Sequence, residues 1–104
     1  MTVRICFCTA PDHTASHTLA HKWVEKKWAA CVNIIPKIQS IYRYNGKIEN
    51  DNESLMIIKT TDEGANKIKE NLDKDHPYDC PEWIELTSHD VSDSYLKWLI
   101  KNSL

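Results

Sequence analysis

The sequence predicts an α+β chain: four strands in one sheet, two helices laid on it and a short helix at the C-terminal end. Three observations carry that expectation. Strand-like and helix-like runs follow one another in the order β-α-β-β-α-β-α, the apolar period switching between two and about 3.6 residues. The two central β runs meet at Asn45-Gly46, the strongest short hairpin signal, because both loop residues must accept positive φ. Finally, 104 residues that are 41% hydrophobic and 27% charged suit one core in one domain, residues 1–104.

The first strand covers residues 3–9, rich in Val, Ile, Phe and Cys and closed by Pro11. Cys6 and Cys8 stand two apart on it, so both leave the same face. Asp12 is placed to cap a helix running to about residue 28, on which Ser16, Leu19, Ala20, Trp23 and Val24 share one face. The hairpin arms take residues 30–44 and 47–60. At about 3.3 Å per residue each arm spans about 45 Å, more than the ~33 Å diameter of a domain this size. The tip, with Ile38, Ile41, Tyr42, Tyr44 and Ile48, therefore projects from the globule. A lone ribbon with open edges needs cover, and a second copy of the chain is the simplest source. Pro36 demands a bulge or a free edge. Thr61 or Asp62 opens a second helix, with Asp62 and Glu63 at its positive end and Ala65, Ile68 and Leu72 as its inner stripe. Asp75-His76-Pro77 stops it, since the residue before proline disfavours helix. A last strand at 82–88 precedes a short helix, capped by Ser92, that carries Tyr95, Leu96, Trp98 and Leu99. This succession is the split-βαβ, or ferredoxin-like, arrangement.

A net charge of −2 provides no general attraction to nucleic acid or anionic membranes, and no apolar run approaches the ~20 residues that span a bilayer. The opening MTVRICFCTAPD reads as strand and turn, with an apolar stretch too short for a signal peptide, so a reducing cytoplasmic location is expected. The four cysteines lack structural zinc spacing; Cys6, Cys31 and Cys80 read as small buried apolar residues.

Five segments carry a resemblance: CTAPD at 8–12, AACVNIIP at 29–36, SIYRYNGKIE at 40–49, IKT at 58–60 and HPYDCPE at 76–82. Through them the chain resembles the CutA divalent-cation-tolerance family over nearly its whole length. The resemblance implies a ferredoxin-like subunit, a tight homotrimer joined through sheet edges, a cytoplasmic location and association with copper or another divalent cation. In bacterial members copper binding is assigned to the cysteine of CTAPD and to two successive histidines leading into HPY. By position these become Cys8, Asp75 and His76. Asp75 substitutes a hard oxygen for a borderline nitrogen donor and makes the set less selective.

Taken as chemistry, a Cys8 thiolate with the His76 imidazole suits copper or zinc, both groups being deprotonated when they bind. The bland alternative is that Cys8 fills space at a strand end and His76 caps a helix. His13, His17 and His21 fall at i, i+4 and i+8 on the first helix, a spacing that can chelate a divalent ion. They lie outside the family motifs, and a solvated flank is their plainer reading. Tyr42, Arg43, Tyr44, Tyr78 and Trp83 mix aromatic and cationic groups. A cleft between subunits, with Tyr44, Lys59, Tyr78 and Glu82 as its candidates and Glu49 as a further polar anchor, could hold a small molecule or nucleotide. It would have no glycine-rich loop, since Gly46 and Gly64 are the only glycines. Alternating aromatics equally suit packing across an oligomer interface.

Three functional classes follow. First stands a non-enzymatic, homotrimeric module that binds divalent metal and serves the response to metal ions. Second is a trimeric small-molecule or nucleotide-responsive signalling module, by analogy with nitrogen-regulatory trimers that hold ligands between subunits. Last is an enzyme with Cys8 as nucleophile and His76 as base, for which the sequence offers no orienting acid or oxyanion donor.

Overall fold

The computed structural model describes residues 2–104. In chain order it contains β1 (Val3–Ala10), α1 (His13–Glu25), β2 (Cys31–Tyr44), β3 (Lys47–Thr61), α2 (Asp62–Asp75), β4 (Ile84–Thr87) and α3 (Asp93–Asn102). The strands form one antiparallel sheet ordered β2-β3-β1-β4. This is the ferredoxin-like order expected from the sequence.

The hairpin turns where the sequence places it, with Asn45 at φ 50° and Gly46 at φ 76° and Tyr44 opposite Lys47. Its length matches the longest dimension of the molecule, 45 Å in an envelope of 45 × 26 × 21 Å. Pro36 creates the bulge it requires. Ile35 faces Leu55 and Ile38 faces Glu53, so Pro36 and Lys37 together oppose Ser54. Lys37 takes a left-handed conformation (φ 56°) to do so.

One face of the sheet is the core. Cys6, Cys8 and Ala10 of β1 and Met56 and Ile58 of β3 lie fully buried beneath Leu19 and Trp23 of α1 and Ala65, Ile68 and Leu72 of α2. Asp12 caps α1 by accepting the Ala15 N–H (2.8 Å), and Thr61 caps α2 by accepting the Gly64 N–H (3.2 Å). The C-terminal residues are stitched to this layer. The Leu104 N–H donates to the Lys27 carbonyl (2.8 Å), and the Thr60 hydroxyl donates to the Trp28 carbonyl (2.6 Å) while touching the Ser103 hydroxyl (2.9 Å).

The opposite face is different. Residues directly across a ladder share a face. The register Ile35–Leu55, Asn33–Ile57, Ile57–Phe7, Phe7–Ile84 and Ile5–Leu86 therefore lays an apolar strip across all four strands. Among the described residues no helix covers it, and Ile35, Ile84 and Leu86 are about half exposed. At the hairpin tip Ile41 and Ile48 are more than 60% exposed, and Tyr42 and Tyr44 are exposed as well.

Several expectations need correction. Helix α1 ends at Glu25 rather than near residue 28, because Lys27 turns to φ 60° and sends the chain back across the helix end. Val24 lies outside the buried stripe. Strand β4 is shorter than 82–88; its pairing stops where Ile84 meets Phe7, three residues after Pro81, which has no amide hydrogen to donate. Ser92 sits at the start of α3, but its side chain makes no capping bond. Cys80 is exposed and Cys31 half-buried, because residues 76–83 cross the surface as a loop and Cys31 opens an edge strand. Trp98 and Tyr95 of α3 face outward, and Leu99 alone of that helix is buried.

Gly64 is closely packed in this layer. A Cβ there would run into the Thr60 hydroxyl and the Trp28 carbonyl. Gly64→Ala is expected to lower stability by about 2–3 kcal/mol through overpacking. The check is chemical denaturation at fixed protomer concentration, with Gly46→Ala, whose Cβ meets open space but whose φ is positive, as the milder comparison.

Candidate functional site

The residues singled out by the sequence converge only in part. Cys8 faces the helix layer opposite Met56 and is fully buried. Burial, and after it the nearby Glu82 carboxylate, pushes its thiol up to about 12. Cys6 is held protonated in the same way, by burial and then Glu85, with Arg4 partly opposing, again at about 12. One peptide further on, the Thr9 carbonyl accepts the His76 Nε2–H at 2.7 Å and a weak contact from the Cys8 Sγ at 3.7 Å. His76 Nδ1 accepts the Tyr78 N–H (3.1 Å). A carbonyl can only accept and an amide N–H can only donate, so this buried ring is the Nε2–H tautomer. The His76 N–H in turn closes α2 on the Leu72 carbonyl (2.8 Å).

Asp75 points elsewhere. Its Oδ1 pairs with Lys22 Nζ of α1 at 2.8 Å, and its side chain is 6% exposed. Its Oδ2 is buried without a hydrogen-bond partner, which is uncommon for a carboxylate oxygen. Cys8 and His76 thus meet around one carbonyl, while Asp75 ties α2 to α1. Among the described residues no three His, Cys, Asp or Glu side chains converge as they stand.

Beyond His76 the loop 77–82 and the hairpin enclose a cleft of about 730 Å³ that includes Tyr44, Tyr78 and Glu82. Lys59 is not part of its lining. It sits on β3 between Ile5 and Cys31, on the uncovered face of the sheet, because the period of two places odd-numbered β3 residues there. The cleft contains residues that sequence reasoning passed over, Glu53 foremost. Glu53 is 9% exposed and accepts the Tyr78 hydroxyl at 2.7 Å. Glu53 is covered because the loop after α2 brings Tyr78 onto it, and no local pattern in the run Glu49 to Glu53 signals that contact. Burial and then Glu53 raise the Glu82 carboxyl. Burial, followed by the bond to Glu53, raises the Tyr78 phenol. Tyr42 donates to Asp51, and that bond first of all moves its phenol up to about 12. With Glu53, Asp79 and Glu82 in the lining and no Lys or Arg among the lining residues, the cleft favours positive or neutral occupants.

The model of the CutA1 divalent ion tolerance protein family matches residues 4–102. The chain belongs to that family. Its relatives include the chloroplastic protein CutA of Arabidopsis thaliana, 43% identical over 95% of this chain. Another is the divalent-cation tolerance protein CutA of Thermus thermophilus, 38% identical over 95% of this chain and 96% of that protein. The chain spans 54% of the Arabidopsis protein's length. The crystal structure of CutA1 from Oryza sativa superposes with a TM-score of 0.96 at 36% identity, covering all of this chain and 95% of that one. The CutA1 fold explains the clasp as well as the sheet: HPY ends α2, and the end of β1 lies beside it to receive His76.

The thiols should report this geometry directly. Under native conditions an alkylating reagent should modify Cys80 quickly and Cys31 more slowly. Cys6 and Cys8, buried and protonated, should react last, only through opening of the fold around them. Mass spectrometry of a timed alkylation checks the order.

Proposed function

We propose that this CutA1 chain is a non-enzymatic, cytoplasmic homotrimer that binds copper or another divalent cation as its contribution to divalent-cation tolerance. The family supports the divalent-cation part. The observation that carries the metal reading is the meeting of Cys8 and His76 at the Thr9 carbonyl; Asp75, held by Lys22, would add an oxygen only by turning away from that pair. Thiolate and imidazole suit copper, and an auxiliary oxygen is tolerated. The pair fits an ion only after two changes: Cys8 must lose its proton, and His76 must release the Thr9 carbonyl to free Nε2. Binding is therefore coupled to proton release and to a local opening at the end of α2.

The trimer is supported by the uncovered sheet face and the exposed hairpin tip. A second copy supplies what each needs, backbone pairing along the hairpin edge and apolar cover for Phe7, Ile57, Ile84 and Leu86, at roughly 25 cal/mol per Å² buried. The cleft next to Tyr78 supports a small-molecule reading less well for nucleotides than for cationic or neutral ligands, since phosphates would face Glu53, Asp79 and Glu82.

Sedimentation at micromolar concentration should give three times the 12.1 kDa chain mass. Leu86→Asp, a change tolerable in one chain because Leu86 is 49% exposed there, should shift it toward smaller species. A folded wild-type monomer would refute the assembly.

Copper binding should strengthen as pH rises. A thiol at about 12 is protonated throughout pH 6–8 and must lose that proton on binding, so the affinity through Cys8 should rise about tenfold per pH unit. Copper(II) titration followed by calorimetry and by the sulfur-to-copper charge-transfer band is the measurement. Cys8→Ser should abolish the band, His76→Ala should weaken binding, and Asp75→His should strengthen it. A pH-independent affinity with no such band would exclude Cys8 as a ligand.

A further inference from the structure

Outside the clasp and the cleft, the remaining dense cluster of metal-ligating groups is on α1. His13, His17 and His21 stand one turn apart along a single exposed flank, followed a further turn on by exposed Glu25. The imidazole centroids are 6.1 Å apart for His13 and His17 and 6.2 Å for His17 and His21. The second pair lies nearly parallel, at 26°. Glu25 Oε2 lies 3.4 Å from His21 Nδ1. We infer that His17 and His21 form a separate, exchangeable surface site for a nitrogen-preferring divalent ion, with Glu25 orienting His21.

The chemistry follows from the spacing. Imidazoles at i and i+4 face each other along a helix, and both can reach one ion at metal–nitrogen distances of about 2.1 Å. At their present separation the two rings hold no ion. Both are exposed side chains, and a rotamer change of each suffices to turn Nε2 toward a shared centre. Glu25 selects which nitrogen remains free: a carboxylate beside Nδ1 favours Nδ1–H and leaves the Nε2 lone pair outward, the arrangement by which carboxylates orient ligating histidines. His13–His17 has the same spacing but a 45° ring tilt, and among the described residues the histidine–carboxylate pair of this helix is His21–Glu25. With two protein nitrogens and water completing the shell, the site favours copper(II) over nickel(II) and zinc(II), and rejects magnesium and calcium, which prefer oxygen. It differs in kind from the Cys8–His76 pair. That pair is buried and must open and lose a thiol proton, whereas the ladder stands on a helix, open to solvent, and needs only side-chain rotation, as rapid uptake and release of an ion require. The inference does not depend on the Cys8–His76 reading.

The test is zinc(II) titration of the full chain, observed through the histidine imidazole resonances, in the wild type and in Cys8→Ser. The expected result is saturable movement of the His17 and His21 signals in both proteins. His17→Ala or His21→Ala should lower that affinity about tenfold or more, by removing one of two protein ligands. His13→Ala should leave it nearly unchanged. Glu25→Ala should weaken it, and Glu25→Gln, which keeps an acceptor for the ring N–H, should restore it. These exposed positions leave folding intact, which circular dichroism verifies. Static His17 and His21 signals at millimolar zinc, or movement that disappears in Cys8→Ser, would overturn the site. A response confined to His13 and His17 would overturn the assignment of the pair. Absence of the copper–sulfur band from the copper-titrated wild type, with an intact ladder response, would refute the Cys8 reading alone.

Discussion

Everything in this molecule depends on the burial of one sheet face and the exposure of the other. Cys6, Cys8 and Ala10 alternate with Ile5, Phe7 and Thr9 along β1, and Met56 and Ile58 alternate with Leu55, Ile57 and Lys59 along β3. The first set is sealed by α1 and α2. The second set is nearly as apolar, yet no helix of the described residues lies on it. A strand that is apolar on both faces asks for cover on both, and a chain with two sheet-packing helices on one side satisfies half of that demand. The proposed trimer follows from that asymmetry as directly as from the length of the hairpin.

The same alternation decides the chemistry of the cysteines. Position 8 falls on the sealed face, so its thiol is a core group whose proton is held by desolvation. The loop that follows α2 then folds back on the end of β1, and His76 spends both ring nitrogens on backbone groups, one on each segment. This clasp positions Tyr78 against Glu53 and so shapes the acidic cleft. A metal entering at Cys8 and His76 would act on all three features at once: the thiol proton, the closure of α2 and the wall of the cleft. The ladder on α1 carries no such coupling, because its rings touch solvent and each other.

Asp75 illustrates how one substitution within a motif is absorbed. At a position where the resemblance implies a second imidazole, the carboxylate forms an ion pair with Lys22 across to the neighbouring helix. A pair with one partner about a third exposed adds little to stability, but it orients the carboxylate and leaves Oδ2 buried and unpartnered. In this structure the residue serves helix packing.

Local chemistry was legible in the sequence: the Asn45-Gly46 turn, the Pro36 bulge, the caps at Asp12 and Thr61, the stop at His76-Pro77 and the inner stripes of α1 and α2. Each is set by steric or hydrogen-bonding rules that act over three or four residues. The order of elements then restricted the sheet to very few topologies. Tertiary structure alone decided which groups those elements bring together. The end of α1 was misjudged because a non-glycine residue, Lys27, adopts positive φ to return the chain. Glu53 was unreadable because its cover comes from Tyr78, 25 residues later in the chain. Within one chain, alternation sends Lys59 to the uncovered face, and Asp75 takes a partner 53 residues earlier. These outcomes depend on cross-strand register and helix docking. The energies involved arise between segments remote in sequence, so no local pattern encodes them.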